Sequence, residues 1–140
     1  MENSSDSDQD DIGEYITSRT WVGTCTDETD VADFYYDVTL SLSGDSNVYG
    51  SLELYCTDVN VKISGFEEAQ NMIGADQTVE VEGTMSGSNL TLNVFSSGST
   101  YTFYMTVSGS TMIGGSQYTG TAGETNIWSF NLRDSSSEGG

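Results

Sequence analysis

Phe34-Tyr35-Tyr36-Asp37-Val38-Thr39-Leu40-Ser41-Leu42-Ser43 places an apolar residue at every even position and mostly polar residues at the odd ones. Successive side chains of a strand point to opposite faces, so this spelling describes one packed face and one wet face. The same rhythm recurs from Trp21 to Arg133, broken about every ten residues by Ser, Gly and Asn. It predicts an all-β domain of antiparallel strands at 19–26, 34–43, 47–56, 59–65, 77–85, 89–96, 100–107, 110–119 and 124–133. The connecting turns are Ser43-Gly44-Asp45-Ser46, Ser86-Gly87-Ser88-Asn89, Ser97-Gly98-Ser99 and Ser108-Gly109-Ser110, where Gly supplies the positive φ of a tight hairpin. No proline interrupts a strand, as expected of strands paired on both sides.

Nine strands are an awkward number, because a meander closed into an antiparallel barrel needs an even count. The expected architecture is an up-and-down barrel of eight to ten strands, with 59–65, the shortest, the least secure. Only Phe66-Glu67-Glu68-Ala69-Gln70-Asn71-Met72-Ile73 leaves the rhythm: Phe66, Ala69 and Ile73 share a helical face, which predicts one short helix over 66–73 at one end of the sheet. Residues 1–14 are acidic, Ser-rich and aperiodic, and read as a disordered tail. The barrel domain then spans 15–133, and 134–140 is a flexible Ser/Gly tail.

The 140 residues include 22 acidic side chains against three basic ones, Arg19, Lys62 and Arg133, for a formal net charge of −19. Such a surface repels phosphate backbones, so no nucleic-acid partner is expected. No apolar run is long enough for a transmembrane segment. Three sources of the acidity stay open: adaptation to high salt, an exported protein with an acidic tether, or a surface for divalent cations. Secretion or tethering at the cell surface is the expected location, with the cytoplasm of a halophile as the alternative. Sequons at Asn3 and Asn89 are within chance in so Ser/Thr-rich a chain.

There is no histidine, which removes Ser–His and Cys–His pairs, imidazole zinc sites and proximal-His haem ligation. Lys62 falls on the wet face between Asn60 and Ser64, and Glu80 and Glu82 lie together on an outward face. The chain is therefore expected to be non-catalytic, with no cofactor. Asp6, Asp8, Asp10 and Asp11 begin like a calcium loop but lack its Gly and its closing Glu. Asp27, Glu28, Asp30 and Asp33 could meet around a hard cation, but solvated loop acids are the simpler reading, and no metal site is assigned. Cys25 and Cys56 both fall on the inward parity at one end of the sheet. A disulfide there would close a loop of about thirty residues, worth about 3–4 kcal/mol, and would favour an oxidising compartment. It requires the 26–33 loop to fold inward; two buried thiols are the alternative.

Trp21-Val22-Gly23-Thr24 in the first strand and Arg133 at the end of the last resemble the calycin superfamily, the lipocalin-like barrels. In that group a Trp near the start of strand one is covered by an Arg from the end of the last barrel strand. The resemblance implies that Trp21 and Arg133 close one mouth of the barrel. The chain departs from the pattern at Arg19, where the family has Gly, and strict alternation from Trp128 puts Arg133 on the outer face. The implied function is binding of a small apolar ligand in the lumen, with Phe34, Tyr36, Leu54, Val59, Met105 and Met112 at the mouth. The alternatives are a protein partner engaged through loops and outer face, where Tyr35, Tyr49 and Tyr55 could form a stripe, or a halophile-adapted structural domain.

Overall fold

Turn residues divide the alternating sequence into eight strands: β1 (Ser18–Thr29), β2 (Ala32–Gly44), β3 (Asn47–Val61), β4 (Asp76–Ser86), β5 (Asn89–Ser96), β6 (Ser99–Ser108), β7 (Thr111–Thr119) and β8 (Thr125–Asp134). These come from a computed structural model that describes residues 18–96, 99–119 and 125–135. The tail expected over 1–14, the Ser97-Gly98 turn and residues 136–140 lie outside that set. Each strand pairs antiparallel with the one before it, and β8 returns to β1, so the sheet closes as an eight-stranded up-and-down barrel. Gly44, Gly87 and Gly109, with φ of 114°, 62° and 61°, make the three hairpin turns at one end.

The ninth strand expected from the sequence is the second half of β3. Tyr36 pairs with Cys56 but Tyr35 with Asp58, so Thr57 is an extra residue and β3 carries a β-bulge there. The bulge moves the inward parity from even (Val48, Leu52, Leu54, Cys56) to odd (Val59), which reads in the sequence as two strands. Past Val61 the chain leaves the sheet, and Ile63, expected inside, is 45% exposed.

The helix expected over 66–73 is a 3-10 helix, Glu67–Met72, with no buried residue. Of its apolar residues only Ala69 packs against the core, while Phe66, Met72 and Ile73 face out. Without a continuous apolar face to bury, nothing holds a longer helix.

The two ends of the barrel differ. The end bearing the three glycine hairpins is packed solid by Trp21, Leu42, Leu90, Val107, Met112 and Leu132, each no more than 2% exposed. Over Trp21 lies the guanidinium of Arg19, 5.4 Å from the ring centre. The Arg19 Nε also pairs with Asp134 Oδ2 at 3.2 Å. Asp134 lies directly opposite Trp21 across the β1–β8 seam, and its backbone N–H donates to the Ser110 carbonyl at 2.7 Å.

The residue that closes this end is thus Arg19, not Arg133. Arg133 sits opposite Val22 and is exposed, because Trp128, Phe130 and Leu132 fix the inward parity of β8 one step away from it. Asp134, expected to begin a loose tail, is a buried member of the barrel.

Removing Arg19 takes away the guanidinium that lies 3.2 Å from the buried Asp134 carboxylate and over the Trp21 ring. Arg19→Ala should therefore cost about 2–4 kcal/mol in urea unfolding, whereas Arg133→Ala should cost under about 1 kcal/mol. Equal losses would contradict this account of the closed end.

Candidate functional site

The opposite end is hollow. A cavity of about 140 Å³ is lined by Tyr36, Leu52, Leu54, Gln77, Val79, Val94, Tyr101, Phe103 and Trp128. Leu52 and Phe103 form its buried floor, while Gln77 and Tyr101 at the rim are exposed, so it opens toward the end where the β3–β4 connection crosses. Its size matches the roughly 150 Å³ engineered apolar cavity known to admit benzene.

One wall is an aromatic cluster. Trp128 stacks on Tyr36 with centroids 5.9 Å apart and on Phe130 at 6.1 Å. Phe103 meets Trp128 at 5.6 Å and Phe130 edge-on at 4.9 Å. Rings in these geometries contribute about 0.5–1.5 kcal/mol per pair beyond burial, so the wall is stiff.

Polar groups hold it in place. The Trp128 indole N–H donates to Asn126 Oδ1 at 3.1 Å, and the Asn126 amide donates in turn to Asp27 Oδ1. Asp27 lies directly across the seam from Trp128, on the inward parity that runs Trp21, Gly23, Cys25 along β1. Burial pushes its carboxyl up to about 6. The bond from Asn126 opposes that rise and the charge of Asp33 adds to it. Burial, followed by the Asp27 charge, also raises the Tyr36 hydroxyl.

Asp33 has its own partner, Lys62, whose ammonium contacts Asp33 Oδ1 at 2.9 Å and donates to the Thr29 carbonyl at 2.8 Å. Among the described residues no group of three or more acids or cysteines is arranged to hold a metal ion. Glu28 faces outward and Asp33 is occupied by Lys62, so Asp27, Glu28, Asp30 and Asp33 do not converge.

Of the residues expected to line the mouth, Tyr36 and Leu54 do so. Phe34 and Val59 pair with each other nearer the rim and pack on the core edge without bordering the cavity. Met105 and Met112 are buried at the other end: Met105 pairs with Leu90, and Met112 lies between Val107 and Leu132. Alternation gives the face of a side chain, but its level along the barrel axis depends on register, which alternation leaves undefined.

Tyr101 and Phe103 in the expected strand 100–107, and Trp128 in 124–133, lie outside the set of ligand-binding residues expected from the sequence, and Gln77 carries no signal there. Asp27 was legible as the next inward position after Cys25, but the predicted strand stopped one residue short of it.

Cys25 and Cys56 are both buried and free. Each pairs with Tyr36, from opposite sides, so two strand spacings of about 4.8 Å separate them. That exceeds the roughly 7 Å limit for a bridge. The 26–33 segment does not fold inward but continues β1 and β2 to a tight connection, and the argument for an oxidising compartment from a disulfide lapses.

The outer tyrosines form no stripe. Tyr35 is half-buried, and Tyr49 and Tyr55 lie six residues, about 20 Å, apart along β3. No family model matches the chain, nor does any curated protein or solved structure.

Burial also raises both thiols, with nearby carboxylates adding to it. Native protein at pH 8 should therefore react slowly with a thiol reagent. Unfolded protein should titrate two thiols, and intact mass should show no loss of two hydrogens.

A raised folded-state carboxyl favours the protonated barrel. The contribution of Asp27 is full below its ordinary value of 3.8 and is lost as pH rises through about 6. Asp27→Asn should raise Tm by roughly 2–4 °C at pH 8 and by nothing measurable near pH 4. A lowered Tm at pH 8 would refute the unfavourable charge.

Proposed function

We propose that this protein is a non-catalytic binding barrel that takes one small apolar molecule into the open half of its lumen, as its likeness to calycin-type barrels implies. The observation that carries this reading is the aromatic-walled cavity itself. Barrels of this strand number often fill their interior with their own side chains, and the closed end does so. At the other end Leu52, Leu54, Val79 and Val94 stop short of the opposing rings and leave a space. An apolar void forgoes dispersion contacts on its lining atoms, a cost that a fitting ligand removes.

The lining also matches the usual make-up of a small-molecule site, mostly apolar and aromatic with a few polar groups at the rim. Here those are Gln77 and the Tyr101 hydroxyl. The volume limits the occupant to about the size of a substituted benzene ring.

Bromobenzene is a suitable probe, because its heavy atom quenches an adjacent indole. It should quench Trp128 but not Trp21 at the far end, giving partial, saturable quenching with Kd of roughly 0.1–1 mM. Val94→Phe, which fills the cavity from its buried wall, should weaken binding by about tenfold or more while leaving far-UV circular dichroism unchanged. Quenching that does not saturate, or that Val94→Phe leaves intact, would overturn the proposal.

A further inference from the structure

We infer that the lumen selects small aromatic amines, the ring held against Tyr36, Phe103 and Trp128 and the ammonium paired with the carboxylate of Asp27. This rests on the lumen-binding reading above and adds the chemical class of the ligand.

β1 runs from the packed end at Trp21 to the mouth at Thr29, and Asp27 is its inward residue nearest the mouth, in register with Phe34 at the rim just above the residues that line the cavity. It stands directly across from Trp128, within one side chain of the aromatic wall. Asn126 satisfies one of its oxygens and steers the group, but an amide brings no charge.

Among the described residues no basic side chain is paired with Asp27. The chain has three basic side chains. Arg19 is committed to Asp134 at the packed end, and Arg133 lies on the outer face at that same end. Lys62 belongs to Asp33 and the Thr29 carbonyl. Asp27 is therefore a half-buried carboxylate on which the charge of Asp33 acts unfavourably, while the Lys62 ammonium at this end is held by Asp33. Unpaired buried charge is costly and is concentrated at functional sites. A ligand cation supplies the missing partner.

Aromatic faces attract cations, and Trp128, across the seam from this carboxylate, stacks with Tyr36 and meets Phe103. A net charge of −19 biases the mouth toward cations and against anions. Neutral aromatic molecules fit the volume but leave Asp27 uncompensated; carboxylate ligands add a second like charge.

The titratable groups facing Asp27 are Cys25 on its own strand and Asp33 and Tyr36 on β2, with neutral Asn126 and Trp128 on β8. Cys25 and Tyr36 are raised and stay neutral below pH 8. Amine affinity should accordingly rise with pH through about 6, where Asp27 ionises, and then level off.

Benzylamine and benzyl alcohol, nearly identical in shape, separate charge from fit when titrated calorimetrically at pH 7.5 in 0.15 M salt. Benzylamine should bind about tenfold or more tightly than the alcohol, the usual size of a charge-assisted contact in a partly dry site. In Asp27→Asn that advantage should fall to about twofold. In Glu80→Gln, which removes one exposed charge elsewhere, it should persist.

Equal affinity of the two probes, both lost in Val94→Phe, would overturn the amine inference and leave lumen binding standing. An amine advantage that survives Asp27→Asn would trace the preference to overall surface charge and also overturn it. Binding of neither probe would overturn both.

Discussion

Everything in this molecule depends on β8 finding β1. Trp21 through Thr29 pair with Asn126 through Asp134, and that seam converts an open meander into a cylinder with an inside. An open sheet of the same strands would present two long unpaired edges and a half-covered apolar face. Closure removes the edges and surrounds each inward side chain with neighbours on both sides. The same seam carries the Arg19–Trp21–Asp134 cluster at one end and Asp27, Asn126 and Trp128 at the other. Architecture and candidate site are therefore two consequences of one strand pairing.

The sequence made the inside legible wherever alternation ran unbroken. β2 is the clearest case: Tyr36, Val38, Leu40 and Leu42 are all buried, as their even positions require. β3 shows where that logic fails. A single extra residue, Thr57, reverses parity within one continuous strand, and a two-residue period cannot represent it. The misplaced methionines have a different cause. Met105 and Met112 do face inward, but antiparallel succession puts them at the packed level, so face was readable and height was not. The two cysteines combine both problems, since a shared face and a shared height still leave Tyr36 between them. Arg19 was hidden by a third effect. A cation next to an indole can come from the same strand two positions away, and strand alternation puts both on one face.

The distribution of charge divides the acids into two populations. Most stand on the outer face, where water and ions attenuate them, and even there crowding has an effect. Glu53 is raised, first by a hydrogen bond with Asp76 across β3 and β4 and then by the charge of Asp76. Salt relieves this kind of repulsion over about 10 Å at 0.1 M. Asp134 and Asp33 are buried but answered, one by Arg19 and the other by Lys62. Two of the three basic residues thus serve buried carboxylates.

Asp27 is the member of the inner set that no side-chain cation answers. Its raised carboxyl opposes stability of the folded barrel at neutral pH, a cost that a bound cation would offset on the proposed reading. Packing alone would be better served at this level by an apolar residue, since the aromatic wall needs no charge beside it to stack. What the carboxylate adds is direction. It fixes Asn126, which fixes the Trp128 indole, so the same group that would receive a cation also orients the ring that would receive its aromatic part. Any residue replacing Asp27 must lose one of these two actions: Asn keeps a hydrogen-bonding oxygen but no charge, and Glu keeps the charge but moves it by a methylene from the amide it steers. On the proposed reading, this coupling of orientation to charge in a single side chain, more than the cavity volume, would decide which ligand the barrel takes.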